Sequence, residues 1–191
     1  MSNFQQTTTY EDINAFLYWT RIQEPDYGQN PLKKPIDQLD KQEFRYKVTA
    51  CVSKEVYQEF VKKFPKKKTA PIENDDFLAK MKVEAVPFPN QPMQYVLTFK
   101  QKVYKNDGTP MPESLRPKVW QFIDGQQVDV TATTLIGNGS QGIVRYSVWT
   151  RSAEIPPTVS LHAVCVTNLV PYAAPEKPKR VDNNSFANVA L

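Results

Sequence analysis

Residues 137–151, GNGSQGIVRYSVWTR, combine a glycine-rich turn with a strand of alternating side chains. The glycines permit positive φ angles, and the residues after them alternate between two faces. Val144, Tyr146 and Val148 form an apolar face that predicts a core. The other face includes two arginines and a tryptophan and consists of Ile143, Arg145, Ser147, Trp149 and Arg151. Cations beside a flat aromatic ring suit a flexible polyanion with stackable bases.

The composition is that of a soluble globular protein. The chain has 191 residues, 40% of them hydrophobic, and a mean hydropathy of −0.53. This length allows one domain with a sizeable core. The net charge of +4 is compatible with a nucleic-acid partner but does not require one. Because the sequence contains neither a signal peptide nor a long apolar run, we expect it to stay in a reducing cytosol without a membrane partner.

Few residues are suited to catalysis or metal binding. His162 is the only histidine, which nearly excludes zinc clusters, Ser-His-Asp triads and histidine-based acid catalysis. A packed or hydrogen-bonded histidine is favoured over a functional one. Cys51 and Cys165 lie far apart in apolar runs, which favours buried free thiols over a disulfide or a metal site. We therefore expect no cofactor, no metal and no enzymatic activity.

Alternating hydrophobicity predicts several further strands and two helices. On the first strand, Leu17, Trp19 and Arg21 are predicted to share a face, and Ile22 lies on the other. The expected helices begin after the N-caps Ser53 and Asn74. The polar residues 1–12 are expected to be loose. The remaining elements are predicted strands at 14–22, 44–52, 94–104, 118–123 and 158–169 and helices ending at Phe64 and Lys82.

These elements predict an all-β fold with one or two inserted helices. Proline-rich connections and hairpin turns favour an antiparallel oligonucleotide-binding (OB) barrel with extended loops, and composition alone does not exclude a sandwich. Residues 1–172 are predicted to form this domain. Residues 173–191 lack periodicity, which predicts a flexible C-terminal tail.

Cations and aromatic residues recur together on the outward faces of the predicted strands. This recurrence predicts a surface for single-stranded nucleic acid, where cations contact phosphates and rings stack on bases. The alternative is a solvated outer face with tryptophans packed under loops. The lysine cluster at 62–68 is open to the same two interpretations. The predicted DNA-binding residues are Trp19, Arg21, Arg45, Lys47, Lys100, Lys102, Tyr104, Lys118, Trp120, Arg145, Trp149 and Arg151.

Two motifs resemble the single-stranded DNA-binding proteins of tailed bacteriophages. EPDYG at 24–28 resembles their KPDYG element, and residues 135–150 are similar to their glycine loop and the strand after it. Lys47 matches the lysine of their Tyr-Lys-Val strand, and Arg145 occupies the place of a basic strand residue. The resemblance implies an OB fold that coats single-stranded DNA in phage replication, recombination and repair, without catalysis. It also implies the cytoplasm of the infected bacterial host as the location.

The C-terminal residues depart from this family. Its members usually end in a strongly acidic tail with a terminal aromatic residue, which contacts polymerase and helicase. After Ala174 this chain carries three basic and two acidic residues, a net charge of +1, and it ends in Leu191. The departure puts tail-mediated recruitment of those partners in doubt. The sequence leaves the oligomeric state open, a homodimer included.

Three alternatives belong to other classes of protein. A phage structural or adaptor β protein would contain the same strands without binding nucleic acid. A nuclease would need a carboxylate cluster, and Glu73, Asp75 and Asp76 form the only dense one. The two aspartates are more simply explained as first-turn partners of a helix dipole. A binder of duplex DNA or of RNA is the third alternative.

Overall fold

The computed structural model describes residues 6–28 and 35–172, in which eight strands and two α-helices lie. The helices are α1, Lys54–Lys63, and α2, Asn74–Met81. Neither is long and apolar enough to cross a membrane. The strands are β1 Thr7–Asp26, β2 Arg45–Val52, β3 Ile72–Glu73, β4 Met93–Lys102, β5 Lys118–Ile123, β6 Gln126–Asp129, β7 Ser140–Thr150 and β8 Thr158–Asn168.

The strands form one curved sheet in the order β3-β4-β2-β1-β7-β8-β5-β6. All neighbours are antiparallel except β5 and β8, which are parallel. Strands β4 and β8 approach each other to within 8 Å between Cα atoms without a hydrogen-bonded ladder, so the sheet curls around its interior. The predicted all-β, OB-like class is confirmed, although the sheet is not a closed barrel because its end strands, β3 and β6, do not pair with each other.

The interior of the curved sheet is the main core, and α1 covers one end of it. Tyr57 and Phe60 of α1 pack there, and the Phe60 ring lies 5.5 Å from that of Tyr146 on β7. The predicted apolar faces of β2 and β7 both point into this core. The Ser53 hydroxyl accepts a hydrogen bond from the Val56 N–H at 3.4 Å, which confirms the predicted N-cap. The helix ends at Lys63, one residue before the expected end, and its C-cap Phe64 is followed by Pro65.

A smaller apolar cluster lies on the outer side of the sheet, under α2. Phe77 and Met81 of this helix pack against Tyr18 of β1 and Cys51 of β2. Burial raises the pKa of the Cys51 thiol to about 12. Cys51 and the half-buried Cys165 are both free, as predicted. Because α2 stands on β1 and β2, it rises above the outer face of the sheet and forms a wall.

The prediction that residues 1–12 are loose is wrong for residues 7–12. This polar segment is the beginning of β1, and Thr7 to Leu17 pair continuously with β7. Backbone hydrogen bonds order it without the apolar alternation that would reveal a strand in the sequence. Residues 1–5 and the predicted tail at 173–191 lie outside the described residues.

The faces of β1 also differ from the prediction because the strand contains a bulge. Tyr18 pairs with Thr49 and Arg21 with Lys47, so Trp19 and Thr20 together face the single residue between those two on β2. The extra residue shifts the alternation by one position. Leu17 and Ile22, predicted on opposite faces, therefore both lie in the main core.

The predicted N-cap of α2 is wrong as well. The helix is capped by Glu73, without a side-chain hydrogen bond. The Asn74 amide instead donates to the carbonyl of Gln91 at 3.0 Å and accepts from Gln94 at 2.9 Å. Asn74 therefore ties α2 to the following loop and to β4, so its side chain is not available to the helix N-terminus.

Candidate nucleic-acid interface

Five cations line up on the outer face of three neighbouring strands. Lys47 of β2 lies directly opposite Arg21 of β1 and directly opposite Lys100 of β4. Arg45 and Lys102 form the next outward pair along β2 and β4. Like charges opposite each other destabilise a sheet, so this arrangement does not itself favour folding. We call Arg21, Arg45, Lys47, Lys100 and Lys102 the basic row.

Three cations of the basic row, Arg45, Lys47 and Lys100, line two hollows, and Arg21 and Lys102 lie opposite them on the neighbouring strands. A hollow of about 720 Å³ has Lys47, Thr49 and Thr98 on its floor, and it is walled by residues 69–73 and by α2. A second hollow of about 170 Å³ is lined by Arg45, Lys47 and Lys100, among others. Lys47 lines both hollows, so they are neighbours along β2. We call the two hollows together the basic groove.

Trp19 stands in the basic groove at the bulge of β1. Its backbone has a φ of 48°, a left-handed conformation that is rare outside glycine. The backbone N–H of Trp19 donates a hydrogen bond to the side-chain oxygen of Asn138 at 2.8 Å. The Lys82 ammonium lies 5.7 Å from the centre of the indole, within the range of a cation–π contact. Trp19 therefore lines the groove with a cation over its ring, and it also packs against the apolar cluster under α2.

The cations of the basic row differ in how far they are already neutralised. Lys47 forms an ion pair with Asp26, and Arg45 donates to the backbone carbonyls of Gln42 and Phe44. Lys102 donates to the Asn106 side chain at 2.7 Å. Arg21 and Lys100 make no ion pair and donate no side-chain hydrogen bond to any residue in 6–28 or 35–172. These two can therefore bind phosphate without giving up a protein partner.

The crowding of cations shifts the pKa values of two neighbouring groups, Asp26 and Lys67. Burial alone would raise the pKa of Asp26, but hydrogen bonds from Lys47 and Gly28 and the charges of Lys47 and Arg21 hold it below its usual range. Burial lowers the pKa of Lys67, and repulsion from Lys100 lowers it further. Lys67 therefore lies close enough to Lys100 for the two charges to repel each other. Elsewhere in the lysine cluster, Lys63 forms an ion pair with Glu11 at 3.1 Å.

Tyr104 lies past the end of β4, in an aromatic cluster. Its ring is 5.7 Å from that of Phe44, which in turn is 4.7 Å from the ring of Tyr27 in the PDYG element. The Lys41 ammonium lies 5.5 Å from the Tyr104 ring centre. Tyr104 thus has aromatic and cationic neighbours, and Trp19 likewise has Lys82 over its ring.

The other five predicted site residues lie on β5, on β7 or directly after β7, and none of them lines the basic groove. Trp120 and Arg145 line a hollow of about 320 Å³ on β5, β7 and β8, which shares no lining residue with the basic groove. The structure thus divides the predicted set into two groups. We call the second group the β5–β7 surface; it comprises Lys118, Trp120, Arg145, Trp149 and Arg151.

Two cations of the β5–β7 surface are paired with carboxylates. Arg145 donates two hydrogen bonds to Asp12, at 2.7 and 2.8 Å, which raise the pKa of Arg145 and lower that of Asp12. Lys118 lies 3.4 Å from Asp129. A phosphate would have to compete with these partners. A role of this surface in DNA binding stays a prediction.

Two residues that contact Trp19 beside the groove had no signal that singled them out in the sequence. Lys82 reaches Trp19 only because α2 ends beside the bulge. Asn138 lies within the glycine loop, and its asparagine side chain is suited to satisfying a backbone group, which is a weak signal in hindsight. Both depend on contacts between elements that are far apart in the chain.

The residues considered for catalysis or metal binding, His162, Asp75 and Asp76, lie outside the basic row. The His162 ring packs 4.6 Å from that of Tyr10, and its pKa is lowered by burial and by Arg145. Asp75 and Asp76 lie in the first turn of α2, as expected. No group of three or more His, Cys, Asp or Glu side chains in the described ranges could hold a metal ion.

The chain is similar to solved structures of phage proteins. One is the single-stranded DNA-binding protein from bacteriophage Enc34 in complex with ssDNA, at 12% identity and a TM-score of 0.42, covering 86% of this chain and 89% of that chain. Another is gp2.5, a single-stranded DNA-binding protein encoded by bacteriophage T7, at 17% identity and a TM-score of 0.40, covering 95% and 99%. No protein-family model matches the chain, and no curated protein matches it significantly.

Proposed function

We propose that this protein binds single-stranded DNA along the basic groove, without sequence preference and without catalysis. The observation that carries the proposal is the row of Arg21, Lys47 and Lys100 across three neighbouring strands, with Trp19 in the same groove. Cations that track phosphates and an aromatic ring that stacks on a base are the two requirements of such binding. The groove contains both.

The unpaired cations are expected to contribute most to phosphate binding. Arg21 and Lys100 form no ion pair and donate no side-chain hydrogen bond among the described residues. Lys47 must break its ion pair with Asp26 before it can bind a phosphate. Each phosphate contact adds about −0.7 to the slope of log K against log salt on a single strand. Binding should therefore weaken steeply as salt is raised.

Stacking on Trp19 would give the protein a preference for unpaired DNA. A base stacked on an aromatic side chain contributes about 1–3 kcal/mol, and every base offers such a face. In a duplex these faces are covered by neighbouring base pairs, so Trp19 has nothing to stack on. The protein should then discriminate strongly between single strands and duplex.

The biological role we infer is the coating of exposed single strands in phage DNA replication, recombination and repair. It is supported by the PDYG element and the glycine loop, which resemble those of phage single-stranded DNA-binding proteins. In that role the protein would act in the cytoplasm of the infected host. The flexible tail at 173–191 stays a prediction, and its weakly basic charge does not support recruitment of polymerase or helicase through an acidic tail.

A competition experiment tests the proposal. A labelled oligothymidylate of about 20 nucleotides exceeds the roughly 4–16 nucleotides that one OB fold covers. We expect it to be displaced by unlabelled single-stranded DNA far more readily than by duplex DNA. Binding to the label should also weaken between low and moderate salt. Equal competition by duplex would contradict the proposal, and absence of binding at low salt would favour the structural or adaptor alternative.

A further inference from the structure

The glycine loop meets the basic groove at one side chain, Asn138. The side-chain oxygen of Asn138 accepts a hydrogen bond from the backbone N–H of Trp19 at 2.8 Å. Its side-chain nitrogen donates one to the carbonyl of Met81 at 2.7 Å. Met81 is the last residue of α2, and Lys82 follows it. A single amide therefore connects the loop, the bulge of β1 and the end of the wall helix.

The bulge leaves the Trp19 N–H without a ladder partner. The β1–β7 pairing ends at Leu17, and the β1–β2 pairing skips from Tyr18 to Arg21. A backbone N–H that is removed from water needs a partner, and Asn138 provides it. The Gly139 N–H donates to the Leu17 carbonyl at 3.0 Å and holds the loop against the strand just before the bulge.

We propose that Asn138 is a positioning residue for DNA binding, which holds the Trp19 indole and Lys82 together in the basic groove. The inference rests on the proposed function of that groove. Asn138 does not touch the DNA; it acts by fixing the left-handed backbone at Trp19 and the C-terminal end of α2. Without it, the bulge can relax and the ring moves away from Lys82 and the basic row.

The first measurement does not use DNA. The chain has three tryptophans, so Trp120→Phe/Trp149→Phe leaves Trp19 as the only indole fluorophore. In that background we expect Asn138→Ala to raise the acrylamide quenching constant of Trp19 about twofold, because local opening exposes the ring. Asn138→Asp keeps an oxygen for the Trp19 backbone N–H but loses the donor to the Met81 carbonyl, so it should restore only part of the protection.

Ser140→Ala is the matched control in the same loop. The Ser140 hydroxyl donates to the Gly137 carbonyl at 2.8 Å and accepts the Val170 N–H at 2.9 Å, and it does not contact Trp19. We expect this variant to lose thermal stability without any change in Trp19 quenching. Two results would overturn the proposal whether or not the protein binds DNA. One is that Asn138→Ala does not change Trp19 quenching in the Trp120→Phe/Trp149→Phe background. The other is that Ser140→Ala raises the quenching as much as Asn138→Ala does.

The second measurement is a double-mutant cycle on oligothymidylate affinity. In the otherwise native chain, Asn138→Ala should weaken binding about fivefold, the lower end of what loss of one stacked base produces. In a Trp19→Ala background the same change should cost less than about twofold, because coupled residues are not additive. Equal losses in both backgrounds would overturn the proposal while leaving the proposed function intact. Absence of binding by wild type would overturn the function, and the quenching result would still decide the role of Asn138.

Discussion

On the scale of single residues, two of the strained backbone positions lie next to each other at the basic groove. Among the described residues, Trp19, Lys82 and Asp124 are the non-glycine residues with positive φ. Asp124 belongs to the Asp-Gly turn between β5 and β6, where such a φ is expected. Trp19 and Lys82 lie against each other in the groove. A left-handed residue other than glycine costs about 1–2 kcal/mol, so the surrounding structure must hold both in place.

Replacing Lys82 with glycine should separate stability from binding. Lys82 has a φ of 54° at the end of α2, where glycine is the preferred residue. We expect Lys82→Gly to raise the free energy of unfolding by about 1 kcal/mol, because the left-handed strain is removed. The same change should weaken oligothymidylate binding, because a groove cation is lost.

Lys82→Ala is the matched control for this prediction. It removes the cation but keeps the strained backbone, so it should weaken binding equally without raising stability. Chemical denaturation and fluorescence titration of both variants provide the test. If Lys82→Gly bound DNA as tightly as wild type, Lys82 would have no part in the groove.

Removing the Asp26 carboxylate should strengthen DNA binding. Asp26 forms an ion pair with Lys47 and also accepts the Gly28 N–H at 3.1 Å. Asp26→Asn keeps an oxygen for Gly28 and frees the Lys47 ammonium for a phosphate. We expect tighter binding and a salt slope that is steeper by up to about 0.7, measured by titration at several salt concentrations.

The control for Asp26→Asn is Asp124→Asn, in the β5–β6 turn. It changes the net charge by the same amount, and asparagine also tolerates the positive φ of that position. An equal gain in affinity in both variants would show that net charge, and not release of Lys47, is responsible.

On the scale of elements, alternation predicted the strands well where they are regular. The inward faces of β2 and β7 agree with the structure because nothing interrupts their period of two. The bulge at Trp19 reverses the faces on β1, and no local signal announces it. The first residues of β1 were missed because they are ordered by pairing with β7 and have no apolar face.

The close contact of β7 with β8 leaves no room for a side chain at Gly142. A Cβ at Gly142 would lie 2.6 Å from the Cys165 carbonyl oxygen and 3.0 Å from Leu17. We expect Gly142→Ala to lower the free energy of unfolding by about 1–3 kcal/mol, because the two strands must move apart. Its exposed neighbour offers a control, since Gln141→Ala should stay within about 0.5 kcal/mol of wild type in urea denaturation. A melting profile of Gly142→Ala like that of wild type would contradict the packing described.

On the scale of the whole molecule, the sequence identified suitable residue types but not their common location. Alternation shows which side chains point outward, whereas strand order and curvature decide which outward faces adjoin. Arg21 and Lys100 meet at Lys47 because β1, β2 and β4 are neighbours. Trp120 and Arg145 fulfil the same alternation rule and lie in a separate hollow.

The pH dependence of stability should reflect carboxylates that are paired in the folded state. The pKa of Asp12 is lowered chiefly by the hydrogen bond from Arg145, and that of Asp26 is lowered by Lys47 against the opposing effect of burial. Such groups stabilise the fold above their unfolded pKa of about 3.9, and this stability is lost as the pH falls through the lower folded value.

We therefore expect the free energy of unfolding to decline as the pH is lowered from about 6 to 3. The decline should be shallower in Asp12→Asn/Asp26→Asn, where neither group titrates. Urea denaturation across this range provides the measurement. A decline of equal size in the double variant would show that other groups are responsible.

The most direct test of DNA binding in the basic groove is the salt dependence of oligothymidylate affinity in two double variants of equal charge change. We predict that Arg21→Ala/Lys100→Ala makes the slope of log K against log salt shallower by about 1.4, two contacts of about 0.7 each. Arg145→Ala/Arg151→Ala, on the β5–β7 surface, should leave the slope as in wild type. An unchanged slope in the first variant together with a shallower one in the second would place the DNA on the other surface and contradict the proposal.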